Sequence, residues 1–406
     1  MIYFIAAALV FSALLRSYVD YLNLRQAQAG RIPEEFAGLL DPEKFKKAQE
    51  YLVAQTKFAL FSRAAWLVVG LVFLLGGGYS ALDQWARGFE LGAISTALIY
   101  FAALGALSEI FSLPFSWVNS FRLEARFGFN RTTVATFVAD HIKGWILGCL
   151  LGGGILAGIL WFFDRMGDKA WLFAWAFLAL VQIVLSFVAP VLLMPLFNKF
   201  SPLAEGDLKK AIESYAASQG MRLKGIFTMD GSKRSAKANA FFTGFGSFRR
   251  IVLFDTLVEK HPIPELVAVL AHEVGHMKRG HIKKGMALSL VVSFVMFWAL
   301  FLALKSEPLQ LAFGFQALSL QAGFTAAILL YEPFGLFMGI ITGAISRKHE
   351  FEADAFAAET ADANALASAL KRLSADNLSN LFPHPWKVKL EYSHPPVLER
   401  VRALMK

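Results

Sequence analysis

One cysteine, Cys149, stands in 406 residues, which excludes an internal disulfide framework and any cysteine-based metal cluster. A bound metal would have to be held by histidine and carboxylate. Charge is also scarce: 17% of residues are charged against 56% hydrophobic, with 39 Phe and a mean hydropathy of +0.50. That balance excludes an ordinary water-soluble domain. The net charge of +9 does not signal nucleic acid, because no basic patch alternates with the aromatic residues that single-strand binding needs. Internal repeats and low-complexity tracts are absent as well.

What is present are long apolar runs. A helix needs about 20 residues to cross a bilayer, and six such runs occur near 64–82, 94–118, 144–163, 171–197, 286–304 and 322–345. Residues 1–15 have no basic residue before them and no clear cleavage site, so they read as a seventh span and not a signal peptide. That span continues past Arg16 and Asp20, which at four apart share a helical face and can pair.

Loops 17–57, 119–143, 198–285 and 346–406 hold 34 of the 40 Lys and Arg. The positive-inside rule then puts the N-terminus outside, with the C-terminus and all four basic loops in the cytoplasm. The membrane is the plasma or inner membrane in a bacterium and the endoplasmic reticulum in a eukaryote. The expected divisions are residues 1–197 (five spans), 198–285 (a cytoplasmic segment), 286–345 (spans six and seven) and 346–406 (a C-terminal segment).

Within 198–285, stretches 223–229 and 249–254 read as short strands, with 239–244 as a third between them and a small antiparallel sheet as the result. After Asp255 the pattern turns helical. Pro264 suits a first turn, so a helix should run over about 263–280.

That helix carries Ala271-His-Glu-Val-Gly-His276. Residues four apart lie above one another, so His272 and His276 can reach one ion, and Glu273 stands where it can take a proton from an attacking water. Catalytic zinc normally has three protein ligands. His281 misses the metzincin spacing, which would need histidine at Ile282 and glycine at Arg279. The better third ligand lies in Ser346-Arg-Lys-His-Glu-Phe-Glu-Ala-Asp354: Glu350 can bind the metal, and Asp354, one turn on, can accept the ring N–H of a ligating histidine. Glu352 and His349 point to other faces.

These residues, with Glu124-Ala-Arg-Phe-Gly-Phe-Asn130, Met194-Pro-Leu-Phe-Asn-Lys-Phe-Ser-Pro-Leu203, Ser232-Lys-Arg-Ser235, Asn239-Ala240 and Ser393-His-Pro-Pro396 before Glu399-Arg400, resemble the integral-membrane type I CAAX prenyl proteases, zinc metalloendopeptidases of the gluzincin kind. The resemblance implies that Glu350 is the third zinc ligand, that His394 helps stabilise the transition state, that the Asn239-Ala240 strand lies along the substrate, and that the helices wall an intramembrane chamber. One departure stands at position 352, Glu where the family leads one to expect Gln. The family's eukaryotic members cut prenylated C-terminal tails.

The expectation is therefore an all-α polytopic membrane protein of seven transmembrane helices with a small cytoplasmic α+β zincin-like metalloprotease portion. It would hold one zinc ion, sit in the lipid bilayer and cut a peptide or protein substrate. Glu273 would act as base and His394 as oxyanion donor. Glu109 and Glu332, ionisable groups inside apolar runs, suggest a wet interior. A broad membrane quality-control protease and a zinc-binding transporter are the competing readings. A transport site would sit near mid-membrane between broken helices.

Overall fold

Lipid offers no hydrogen bonds to the backbone, so apolar spans must satisfy their N–H and C=O groups internally, as helices. In a computed structural model, which describes residues 1–221, 223–243 and 250–406, the first such helix is α1 (Ile2–Ala29), followed by α2 (Pro42–Leu75). Asp41 caps α2 by accepting from the Lys44 N–H, with Pro42 in the first turn where its missing N–H costs nothing. Gly77, at φ 74°, breaks the chain before the short α3 (Gly78–Arg87). Helix α4 (Ala93–Val118) then runs on through a π turn, and α5 (Val134–Leu147) joins α6 (Gly153–Arg165) the same way. Helix α7 (Ala170–Val188) ends this half.

A mixed lobe follows: β1 (Phe200–Pro202), α8 (Asp207–Ser218), β2 (Gly225–Met229), β3 (Ala240–Thr243), β4 (Arg250–Phe254), α9 (Asp255–Lys260) and α10 (Ile263–Lys278). The chain re-enters the apolar layer as α11 (His281–Lys305), makes the short α12 (Glu307–Ala312), and returns as α13 (Leu320–Thr360). Helices α14 (Ala363–Asp376), α15 (Pro385–Glu391) and α16 (Val397–Leu404) close it. Among the described residues six helices are long and apolar enough to cross a membrane. The two arms of α13, meeting at 50° beside Pro333, pass the same test only when taken together as one bent span, which would bring the number to seven.

Three expectations need correction. The sheet is mixed, not antiparallel: its order is β1-β2-β4-β3, and β2 pairs parallel with β4 while β1 and β3 pair antiparallel at the edges. The chain leaves β2, crosses over and lays β3 on the far side of β4, so β2 and β4 are neighbours without a hairpin. Second, α5 begins at Val134, ten residues before the apolar run, because Thr133 caps it and its polar residues find partners on other elements: Asp140 accepts from Arg234, and His141 Nδ1 lies 3.0 Å from Glu109 Oε1. Third, Arg16 and Asp20 do not pair. Buried Asp20 takes Arg63 of α2 at 2.8 Å and Lys387 of α15, while Arg16 faces Glu391 at 3.9 Å. The side chain of Glu332 and residues 244 and 249 lie outside the described residues.

The lobe has its own apolar core, in which Ile251 and Leu253 of β4, Ile212 and Tyr215 of α8, Leu266 and Val274 of α10 and Leu366 of α14 are buried together. Each such side chain contributes roughly 1.5–3 kcal/mol, which makes α10 a rigid platform. Helix α13, at 41 residues, is about 60 Å long, twice the roughly 30 Å hydrocarbon layer. Its C-terminal part therefore projects from the bundle and packs against α10.

Candidate metal centre

The close approach of α10 to α13 builds the site. A Cβ on Gly275 would come within 2.9 Å of the Ala353 carbonyl oxygen and 3.0 Å of its Cα, so only glycine lets the two helices meet there. That contact sets His272 and His276 opposite Glu350. The Nε2 atoms of His272 and His276 are 3.1 Å apart; Glu350 Oε2 lies 3.5 Å from the first and its Oε1 3.2 Å from the second. One ligand atom from each of His272, His276 and Glu350 lies within 4.8 Å of the others, so a single ion with two histidine ligands and one carboxylate ligand fits among them. Among the described residues, buried Glu350 Oε2 has no hydrogen bond of its own; Arg400 Nη1, 3.2 Å away, offers it charge without alignment. A lone pair is thus left for a metal.

His272 donates its Nδ1–H to Asp354 Oδ1 at 2.8 Å, which turns Nε2 toward the other ligands. Asp354 also accepts from Arg400, Nε to Oδ2 at 2.8 Å and Nη2 to Oδ1 at 2.6 Å. All three residues are buried. Burial by itself drives the proton off His272, but the carboxylates of Asp354 and Glu350 outweigh it and raise its pKa to about 9. An incoming metal must displace that proton. Burial also pushes Glu273 above the ordinary glutamate value of 4.5, against the pull of His272 and His276, as suits a group that takes and returns a proton. Glu273 borders a largely apolar cavity of about 590 Å³, with His276, His281, Phe241 and Phe242.

His394 stands at the rim, 62% exposed, its Nε2 3.3 Å from Glu350 Oε1 and its Nδ1 bonded to the Ser393 hydroxyl. Arg347 fixes the approach to it by donating to the carbonyls of Val388 and Tyr392 at 2.9 and 2.6 Å. Asn239 is exposed immediately before β3, the edge strand, and its carbonyl accepts from Phe254 N–H at 3.0 Å. Ala240 opposes Leu253.

Sequence reasoning assigned no role to Arg400 or Arg347. The one available signal for Arg400 is a charge on the apolar face of a short helix, between Leu398 and Val401, whose buried neighbours demand a carboxylate partner. Glu352 and His349 do point away from the cluster, and both meet His281. Glu109 has its partner in His141, at the edge of a cavity of about 440 Å³.

A bundle of membrane-length helices, a mixed sheet with β3 as an outer strand and a His-Glu-x-x-His helix facing a carboxylate define a membrane-embedded metallopeptidase. The comparisons agree. Residues 20–199 match the CAAX prenyl protease N-terminal model of five membrane helices, and residues 202–406 match peptidase family M48. A CAAX prenyl protease 1 homolog from Oryza sativa is 34% identical over 99% of this chain and 97% of its own length. The CAAX prenyl protease 1 of Saccharomyces cerevisiae is 34% identical over 97% and 93%. The crystal structure of S. mikatae Ste24p superposes with a TM-score of 0.95 at 34% identity, over 99% of this chain and 98% of that one. The chain belongs to peptidase family M48, among the integral-membrane type I CAAX prenyl proteases, and is a multi-pass membrane metalloprotease. Neither the quality-control nor the transporter reading is favoured.

Proposed function

We propose that this protease hydrolyses a peptide bond near the C-terminus of prenylated, CAAX-type substrates at one zinc ion held by His272, His276 and Glu350. Convergence of the two Nε2 atoms and the Glu350 carboxylate within reach of one ion is the observation that carries this reading. When bound, zinc polarises the scissile carbonyl and makes water a nucleophile near neutral pH. Glu273 accepts the proton as water attacks and hands it to the leaving amine. Asp354, itself held by Arg400, fixes the His272 tautomer. His394 donates to the oxyanion from the rim. The substrate lies extended along β3 beside Asn239 and Ala240, adding a strand to the sheet at that side, with its apolar side chains toward Phe241 and Phe242 of the neighbouring cavity.

The Lys and Arg bias of the loops supports an N-terminus outside and a cytoplasmic site. The relatives' names supply the substrate class. The test is cleavage of a farnesylated CAAX peptide and its unprenylated twin by detergent-purified protein. Cleavage of the farnesylated peptide alone is expected. Equal cleavage of both would overturn the prenyl requirement.

A further inference from the structure

The two histidines of the metal helix are held differently. His272 meets a carboxylate directly, through Asp354. His276 meets another ring: its Nδ1 lies 3.0 Å from Nδ1 of His281, and His281 Nε2 lies 2.9 Å from Glu352 Oε2. We infer that His281 and Glu352 form a relay that positions His276, fixing its plane and its tautomer for the metal.

Hydrogen-bond inventory sets the direction. An ionised carboxylate only accepts, so the His281 nitrogen facing Glu352 must carry the proton and donate it. A neutral imidazole has one N–H, so His281 Nδ1 is then bare and can only accept. The proton between the two Nδ1 atoms therefore belongs to His276, whose Nε2 is left with a free lone pair. That is the nitrogen 3.1 Å from His272 Nε2 and 3.2 Å from Glu350 Oε1. The reverse arrangement sets two lone pairs against each other at 2.9 Å.

The surroundings are built to hold this geometry. Gly280, at φ 71°, ends the metal helix and starts α11 at His281, turning the ring back beneath His276. His349 stacks on His281, with centroids 4.0 Å apart and planes 9° from parallel, which fixes the ring's plane. His281 is buried, whereas Glu352 is 32% exposed and neighboured by Lys348. Helix α13 thus sends three carboxylates to the centre: Glu350 to the ion, Asp354 to one ligand and Glu352 to the other through His281. Glutamate at 352 does what glutamine can also do, since an amide oxygen accepts the same N–H.

The inference rests on the zinc reading, and the test separates the two. Zinc affinity of the full chain in detergent is measured by competition with a chelator for the unmodified protein, His281→Phe, Glu352→Ala and Glu352→Gln. Loss of an outer hydrogen-bond partner typically costs 10–100-fold in metal affinity. His281→Phe, which keeps the stack on His349 but no ring nitrogen, is expected to fall in that range. Glu352→Ala should weaken zinc by less, and Glu352→Gln should stay close to the unmodified protein. Unmodified affinity in both His281→Phe and Glu352→Ala overturns the relay. Equal weakening by Glu352→Ala and Glu352→Gln overturns it too, because a hydrogen-bond role is rescued by the amide. If His281→Phe does not fold, the pair at 352, on a partly exposed side chain, decides alone. No zinc bound by the unmodified protein would instead overturn the metal site itself.

Discussion

The face of the metal centre turned toward α14 and α16 and the face turned toward α11 and β3 are made of different materials. On the first, His272, Asp354 and Arg400 are all buried, and a guanidinium clamps a carboxylate with two hydrogen bonds. On the second, Glu273, His276 and His281 border a cavity of about 590 Å³ beside Phe241 and Phe242. The difference teaches where each requirement of the chemistry is met. Charges that must not move are buried and paired on one side, where an unpaired partner is costly, with His394 and Arg400 both bordering a second cavity of about 720 Å³; Glu273 and His276 stand toward the apolar cavity.

Breaking the sealed face should therefore cost stability, and breaking the open rim should cost rate. The largest structural effect is expected for Arg400→Leu, which strips the clamp from Asp354 and Glu350 and should destabilise the fold by about 3–5 kcal/mol, read as a lowered Tm in detergent. His394→Ala should leave zinc content and Tm unchanged while lowering kcat by roughly 10²–10³-fold, as removal of one oxyanion donor does elsewhere. A large Tm drop in that variant would place His394 with the sealed face instead. Gly275→Ala presses a Cβ onto the Ala353 backbone and should cost about 1–3 kcal/mol by overpacking, an effect on the α10–α13 contact that calorimetry would detect.

The smallest effect is a displaced pH limb. Burial raises Glu273 above 4.5, and a base works only when unprotonated. As pH falls through that raised value, kcat/KM should decline, so the acid limb lies above the ordinary glutamate range. A limb at or below 4.5 would show that the charge of the bound metal outweighs burial at Glu273.

Much of the centre was legible because it is local. His272 and His276 sit one helical turn apart, Glu350 and Asp354 likewise, and the 3.6-residue period puts each pair on one face without knowledge of the fold. The spans were legible for a similar reason, since a lipid solvent demands long apolar runs. What stayed hidden is non-local. Pairing direction is not written in a strand's own residues, so β2 and β4 gave no sign that they run parallel, and β1, three residues with a proline, shows no alternation. Asp140 and His141 looked like loop because their partners, Arg234 and Glu109, lie 94 and 32 residues away. Arg400 reaches Asp354 across 46 positions and His281 reaches Glu352 across 71; no spacing rule spans such gaps.

The most direct measurement is zinc content and peptide hydrolysis in the same preparations of the unmodified protein and Glu273→Gln. One zinc per chain is expected in both, with hydrolysis only in the unmodified protein and lost when a chelator removes the metal. Hydrolysis that survives either the Glu273→Gln change or removal of the metal would contradict catalysis by Glu273 at a His272, His276 and Glu350 centre.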